Sequence, residues 1–131
     1  MKILIVEDDF LSRQVLCKFL SSYGDCDIAV NGREALDAFK IAIDGGEKYD
    51  LICLDVMMPE MDGHEALKAI REFEAQKNIT GLQCVKIIMT TALGDSKNIL
   101  KAFKEQCESY LVKPITQEKL HLELKKLGLV R

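Results

Sequence analysis

Two stretches of this chain, Ile3-Leu4-Ile5-Val6 and Leu51-Ile52-Cys53-Leu54, are apolar at every position. Each runs straight into acids: Glu7-Asp8-Asp9 after the first and Asp55 after the second. A strand with one wet face alternates polar and apolar residues, so a short run without alternation reads as a strand covered on both faces. Such strands belong to parallel sheets, and in an open α/β sheet ligands bind outside the carboxyl ends of the strands. The acids therefore mark one rim of a sheet. Carboxylates gathered there repel one another, so a positive group is expected to join them.

The rest of the chain supplies the alternation that a parallel sheet needs. Lys2–Val6 reads as the first strand. Phe10–Ser22 reads as the first helix, with Phe10, Leu11, Val15, Leu16, Phe19 and Leu20 as its apolar stripe and Gly24 marking its end. Asp25–Val30 is a second strand. Asn31 is a candidate N-cap for a helix opened by Gly32-Arg33-Glu34, with Glu34 spaced as in a capping box. That helix carries Ala35, Leu36, Phe39 and Ile43 and stops at Gly45-Gly46. Leu51–Leu54 is the third strand, and Gly63–Gln76 the third helix with Leu67, Ile70 and Phe73 inward. After a loop over Lys77–Gln83 come a fourth strand, Cys84–Thr90, and a fourth helix from Asp95 to about Lys104. Ser109–Val112 is the fifth strand. Thr116 caps a last helix bearing Leu120, Leu122, Leu124 and Leu127, closed by Gly128. Five β-α units imply a doubly wound α/β fold: a five-stranded parallel sheet, right-handed crossovers, helices on both faces. No repeat, linker or second domain is visible, so residues 1–131 are expected to form one domain.

Composition excludes several classes. With 48% hydrophobic and 30% charged residues and two prolines, the chain is neither disordered nor low-complexity. A net charge of −3 argues against general nucleic-acid binding through phosphates. No apolar stretch approaches the roughly 20 residues that span a bilayer, and the N-terminus is no signal peptide. No membrane insertion and a cytoplasmic location are therefore expected. Cys17, Cys26, Cys53, Cys84 and Cys107 are odd in number and include no C-x-x-C pair, which favours free thiols in a reducing compartment.

Every strand of a parallel sheet ends on the same edge. If strands one and three are neighbours, as at a flavodoxin-like switch point, Glu7, Asp8 and Asp55 converge, with Thr91-Ala92 and Lys113-Pro114 beside them. Carboxylates with no His or Cys nearby make a hard-oxygen site suited to Mg²⁺. Lys113 adds a compact positive charge and Thr91 a hydroxyl donor. A nucleophilic carboxylate, a metal, an ammonium and a hydroxyl fit phosphoryl transfer to an aspartate. His64 and His121 lack companion ligands and are expected on the surface or a helix face.

Four segments carry a resemblance. Ile5-Val6-Glu7-Asp8-Asp9, Asp55-Val56-Met57-Met58-Pro59-Glu60-Met61-Asp62-Gly63, Thr91-Ala92 and Tyr110-Leu111-Val112-Lys113-Pro114 resemble, in order and spacing, the receiver domain of two-component response regulators. The resemblance covers essentially the whole chain. It implies the flavodoxin-like strand order 2-1-3-4-5. It implies Asp55 as phosphoacceptor, Asp8 as direct metal ligand, and Glu7 acting nearby or through water. It adds the backbone carbonyl of Met57 as a further ligand, Thr91 as switch hydroxyl, Lys113 as the lysine paired to the phosphoryl group, and Tyr110 as switch aromatic. Asp9 falls outside the matched metal positions.

The implied function is a phosphoacceptor signalling domain. It takes a phosphoryl group from a sensor histidine kinase in a Mg²⁺-dependent reaction and catalyses only its own phosphorylation and dephosphorylation. Its fourth helix, fifth strand and fifth helix would then switch to control a downstream protein. The alternative is a relay intermediate that passes the group to a histidine phosphotransfer protein. The chain reads as a single-domain regulator or as a receiver cut from a longer protein. An aspartyl-phosphate hydrolase is disfavoured, because Asp55-Val56-Met57 lacks the second Asp of a D-x-D pattern. A phosphorylation-independent binding module has little support when every required group is present. Two positions depart from the family's habits: Gln106-Cys107-Glu108 lacks a glycine before strand five, and Cys84-Val85-Lys86 lacks a proline before strand four. Met57 and Leu93, both apolar, imply slow self-dephosphorylation.

Overall fold

The computed structural model describes residues 1–92 and 107–131. The sheet is built from β1 (Lys2–Val6), β2 (Asp25–Ala29), β3 (Leu51–Asp55), β4 (Lys86–Thr91) and β5 (Ser109–Val112). The helices described are α1 (Phe10–Leu20), α2 (Gly32–Asp44), α3 (Gly63–Gln76) and the C-terminal α4 (Gln117–Lys126). The helix expected over 95–104, with Leu93 and Gln106, lies outside the described residues.

All strand pairs are parallel, in the order β2-β1-β3-β4-β5. This is the flavodoxin-like arrangement, and it makes β1 and β3 neighbours through Ile3↔Leu51 to Val6↔Leu54. Alternate residues of the continuous apolar runs feed two separate cores. Leu4, Val6, Ile52, Leu54, Ile87 and Met89 pack with α2 and α3. Ile3, Ile5, Leu51, Cys53, Ile88 and Leu111 pack with α1 and α4. Both faces are covered, which is why these strands show no polar alternation.

The caps follow the side chains that the sequence offers. Asn31 Oδ1 accepts from the Glu34 N–H at 2.8 Å, and Thr116 Oγ1 accepts from the Lys119 N–H at 3.2 Å. Gly128 closes α4 at φ +76. Gly24 does something else than end a helix. A Cβ there would lie 2.0 Å from the Met1 carbonyl oxygen, so glycine admits a close crossing before β2.

Two further expectations change. The stripe of α1 is only partly covered: Leu16 and Leu20 are buried, but Phe10, Leu11 and Val15 are 60%, 72% and 43% exposed. Leu11 and Val15 instead line an open groove with Ala92, Pro114 and Ile115. His64 is buried rather than on the surface. It sits three residues before Leu67, and i, i+3 neighbours share a helix face, so it turns inward with Leu67 and Ile70.

The two departures from the family pattern meet in one ion network. Arg71 donates to both carboxylate oxygens of Glu108 at 2.8 Å, to Glu74 Oε1 at 2.7 Å and to the Val85 carbonyl at 2.9 Å. Glu74 Oε2 accepts from the Val85 N–H at 2.8 Å, and Glu108 Oε2 from the Ile87 N–H at 2.6 Å. Charged side chains thus pin the chain where it enters β4 and β5, at the opposite end of those strands from the acids.

Candidate functional site

Glu7 follows the last residue of β1, and Asp55 is the last residue of β3. Because these strands are neighbours, one carboxylate oxygen from each of Glu7, Asp8 and Asp55 lies within 4.8 Å of the others. Glu7 and Asp55 are buried; Asp8 is exposed. Lys113, just past β5, reaches across the rim. Its Nζ lies 3.1 Å from Glu7 Oε2 and 3.4 Å from Asp55 Oδ1. Thr91 ends β4 and is buried. Its carbonyl accepts from the Lys113 N–H at 2.7 Å, so the hydroxyl-bearing and ammonium-bearing residues are tied through their backbones.

Loop chemistry holds the acids. The Glu7 N–H donates to the Ala29 carbonyl at 3.1 Å. The Asp9 N–H donates to Glu7 Oε1 at 3.2 Å, while Asp9 Oδ2 accepts from the Ser12 N–H at 2.9 Å and caps α1. Asp9 is thus committed to the helix end, which fits its position outside the metal set. On the other side, Val56 N–H donates to the Thr90 carbonyl and Gly63 N–H to the Val56 carbonyl, both at 3.0 Å. Met57 is exposed, and its N–H lies 3.4 Å from Asp55 Oδ1.

The electrostatics are unbalanced. Among the described residues, three carboxylates face one ammonium. Burial, then the neighbouring Glu7 carboxylate, push Asp55 up to about 7 against the pull of Lys113. Burial works to lower Lys113, but the Asp55 and Glu7 carboxylates outweigh it and raise it, so the ammonium stays charged. A site of hard oxygens that is short of positive charge suits a small divalent cation. A groove of about 570 Å³ opens beside it, lined by Glu7 and Lys113 and by the apolar Leu11, Val15, Ala92 and Ile115.

The sequence model of the response regulator receiver domain matches residues 3–125. The chain belongs to the response regulator receiver family. It is 36% identical over 128 residues to hybrid signal transduction histidine kinase L of Dictyostelium discoideum, covering 97% of this chain and 7% of that protein. It therefore spans only a small part of that relative's length. The receiver domain of Ssk1 from Saccharomyces cerevisiae, solved with the histidine phosphotransfer protein Ypd1, superposes with a TM-score of 0.83. The two are 32% identical, with 98% of this chain and 88% of that chain covered. CheY of Borrelia burgdorferi, solved with CheX, BeF₃ and Mg, gives 0.83 at 26% identity, covering 100% and 90%.

In this receiver domain the expected rim residues do assemble: Glu7, Asp8, Asp55 and Lys113 by distance, and Thr91 through its backbone link to Lys113. Tyr110 lies on β5 opposite Met89, half-buried against the core under α2 and α3. No described helix is long and apolar enough to cross a membrane. All five cysteines are free, and burial raises each thiol, Cys53 to about 12 and Cys107 to about 11. Sequence reasoning missed Arg13, whose guanidinium lies 3.0 Å from the Glu7 carbonyl oxygen. The only available signal was a basic residue one helical turn past the acids, and that pattern is too common to single out.

Proposed function

We propose that residues 1–131 form one receiver domain in which Asp55 accepts a phosphoryl group from a phosphohistidine. The donor is a sensor histidine kinase or a histidine phosphotransfer protein. The observation that carries this reading is the buried Asp55 carboxylate at a strand end, with Lys113, Glu7 and Asp8 all within reach. Asp8, Asp55 and the Met57 carbonyl would hold Mg²⁺, with Glu7 nearby or acting through water. Such an ion would supply positive charge to the phosphoryl oxygens and favour the ionised form of Asp55.

Asp55 Oδ attacks phosphorus as the N–P bond to the donor histidine breaks, and the imidazole leaves as the neutral base after protonation. Lys113 then pairs with a phosphoryl oxygen, and Thr91 donates its hydroxyl to another. Movement of Thr91 toward the new group opens room for Tyr110 to pack inward. β5, α4 and the expected helix over 95–104 would present the altered face to a protein target. A shift from 1:99 to 99:1 requires about 5.5 kcal/mol of differential contact, which several charge-assisted bonds together can supply. Apolar Met57 beside the group does not orient a water, so the phosphoryl group should be long-lived.

Incubation with phosphoramidate and Mg²⁺ tests the core of this reading. Intact mass should rise by one phosphoryl group. The rise should vanish in Asp55→Asn and under a chelator, and labelling that survives either treatment overturns it. Thr91→Ala should still be labelled yet bind a partner equally with and without the label. The likeness to the receiver of Ssk1, the response regulator downstream of Ypd1, supports a phosphotransfer protein as one donor; a relay intermediate that hands the group on is the second reading. Transfer of label from Asp55 onto a phosphotransfer protein would select it.

A further inference from the structure

We propose that Arg13 is a positioning residue that aims the Asp8 carboxylate at the cation. The inference rests on the reading that Asp8 ligates Mg²⁺. Asp8 is the exposed member of the acid trio, so packing does little to orient it. The direction of its Cα–Cβ bond, from which the carboxylate swings, is set by the two peptide planes flanking its Cα. Arg13 Nη1 lies 3.0 Å from the Glu7 carbonyl oxygen, which belongs to the plane before Asp8. The same nitrogen lies 3.5 Å from the Asp8 carbonyl oxygen, which belongs to the plane after it. The second plane has another anchor, the Asp9 N–H to Glu7 Oε1 at 3.2 Å. The carbonyl of the first plane is fixed by Arg13.

Arg13 is itself braced. Asp9 caps the first turn of α1, and Arg13 N–H bonds the Asp9 carbonyl at 2.9 Å. The guanidinium lies over the Phe10 ring, 5.5 Å from its centroid. The 60% exposed Phe10 thus serves as the platform on which the guanidinium rests.

Charge and positioning make opposite predictions, which makes the inference testable. A guanidinium held on the carbonyls of the acid loop repels a cation bound at the neighbouring carboxylates, so a purely electrostatic role means that Arg13→Ala tightens Mg²⁺ binding. A positioning role means that it weakens binding, by about tenfold as for other groups that orient ligands. Calorimetric titration of MgCl₂ into metal-free wild type, Arg13→Ala and Arg13→Lys decides between them. The expected result is a loss of about tenfold in Arg13→Ala and a smaller loss in Arg13→Lys, which keeps the charge but offers no planar fork. Amide NMR shifts of Glu7, Asp8 and Asp9 should move in both metal-free variants. Unchanged or tighter binding by Arg13→Ala, with wild type binding normally, overturns the inference alone. A wild type that binds no Mg²⁺ overturns the metal reading and the inference with it.

Discussion

Asp55 is held in a state that disfavours its own charge. In an unfolded chain an aspartate titrates near 4, whereas burial and Glu7 push Asp55 up to about 7. Between those values the folded protein keeps a proton that the unfolded chain has lost. Stability of the metal-free protein therefore falls as pH rises from about 4 to about 7. Asp55→Asn removes the titrating group. In metal-free buffer at about pH 7.5 it should stabilise the fold by about 2 kcal/mol, with the difference disappearing toward pH 4. Thermal unfolding against pH checks this, and saturating Mg²⁺ should reduce the advantage by stabilising the wild-type carboxylate. That Asp55, Glu7, Asp8 and Lys113 meet on one rim was legible in sequence because strand ends are legible. The inward turn of His64 was passed over although Leu67 and Ile70, three and six residues on, mark the same buried face, because an imidazole is polar and spacing alone does not show a polar ring to be buried.

At the scale of elements, the turn after β3 is set by a close approach. A Cβ on Gly63 would stand 2.3 Å from the Asp55 carbonyl oxygen and 2.8 Å from the Val56 Cα. Backbone is on the receiving side, so neither contact can be relieved by rotating a side chain. Gly63→Ala should cost about 2 kcal/mol of stability and slow phosphorylation by phosphoramidate, because α3 or Asp55 has to move. Gly32 plays a similar part for the far end of that loop. Its N–H donates to the Met61 carbonyl at 3.0 Å, and a Cβ there would lie 2.3 Å from the same oxygen. The boundaries of α3 and β5 match the expected ones residue for residue, since hydrophobic periodicity and caps agree there. The α1 stripe misled for a physical reason: periodicity reports which residues share a face, not whether anything lies opposite them.

At the scale of the molecule, the two ends of the sheet have different duties. The rim carrying Glu7, Asp55, Thr91 and Lys113 holds the candidate chemistry, while the Arg71–Glu74–Glu108 network fastens the other end of β4 and β5. Arg71→Ala leaves buried Glu74 without its cation and should destabilise by about 3 kcal/mol. Below its lowered melting temperature the variant should still be phosphorylated at the wild-type rate, a separation that denaturation and labelling on one preparation would reveal. The sheet order followed from motif resemblance, and the network did not, because sequence says which charges exist but not which of them meet. The free thiols have a practical side as well. Burial raises all five, most of all Cys53 and Cys107, so at neutral pH they should react more slowly with thiol-directed dyes than an open thiol does. A Met57→Cys variant, altered at a position that is 66% exposed, would label ahead of them, giving a chain without tryptophan an optical reporter at the lip of its own acidic cleft.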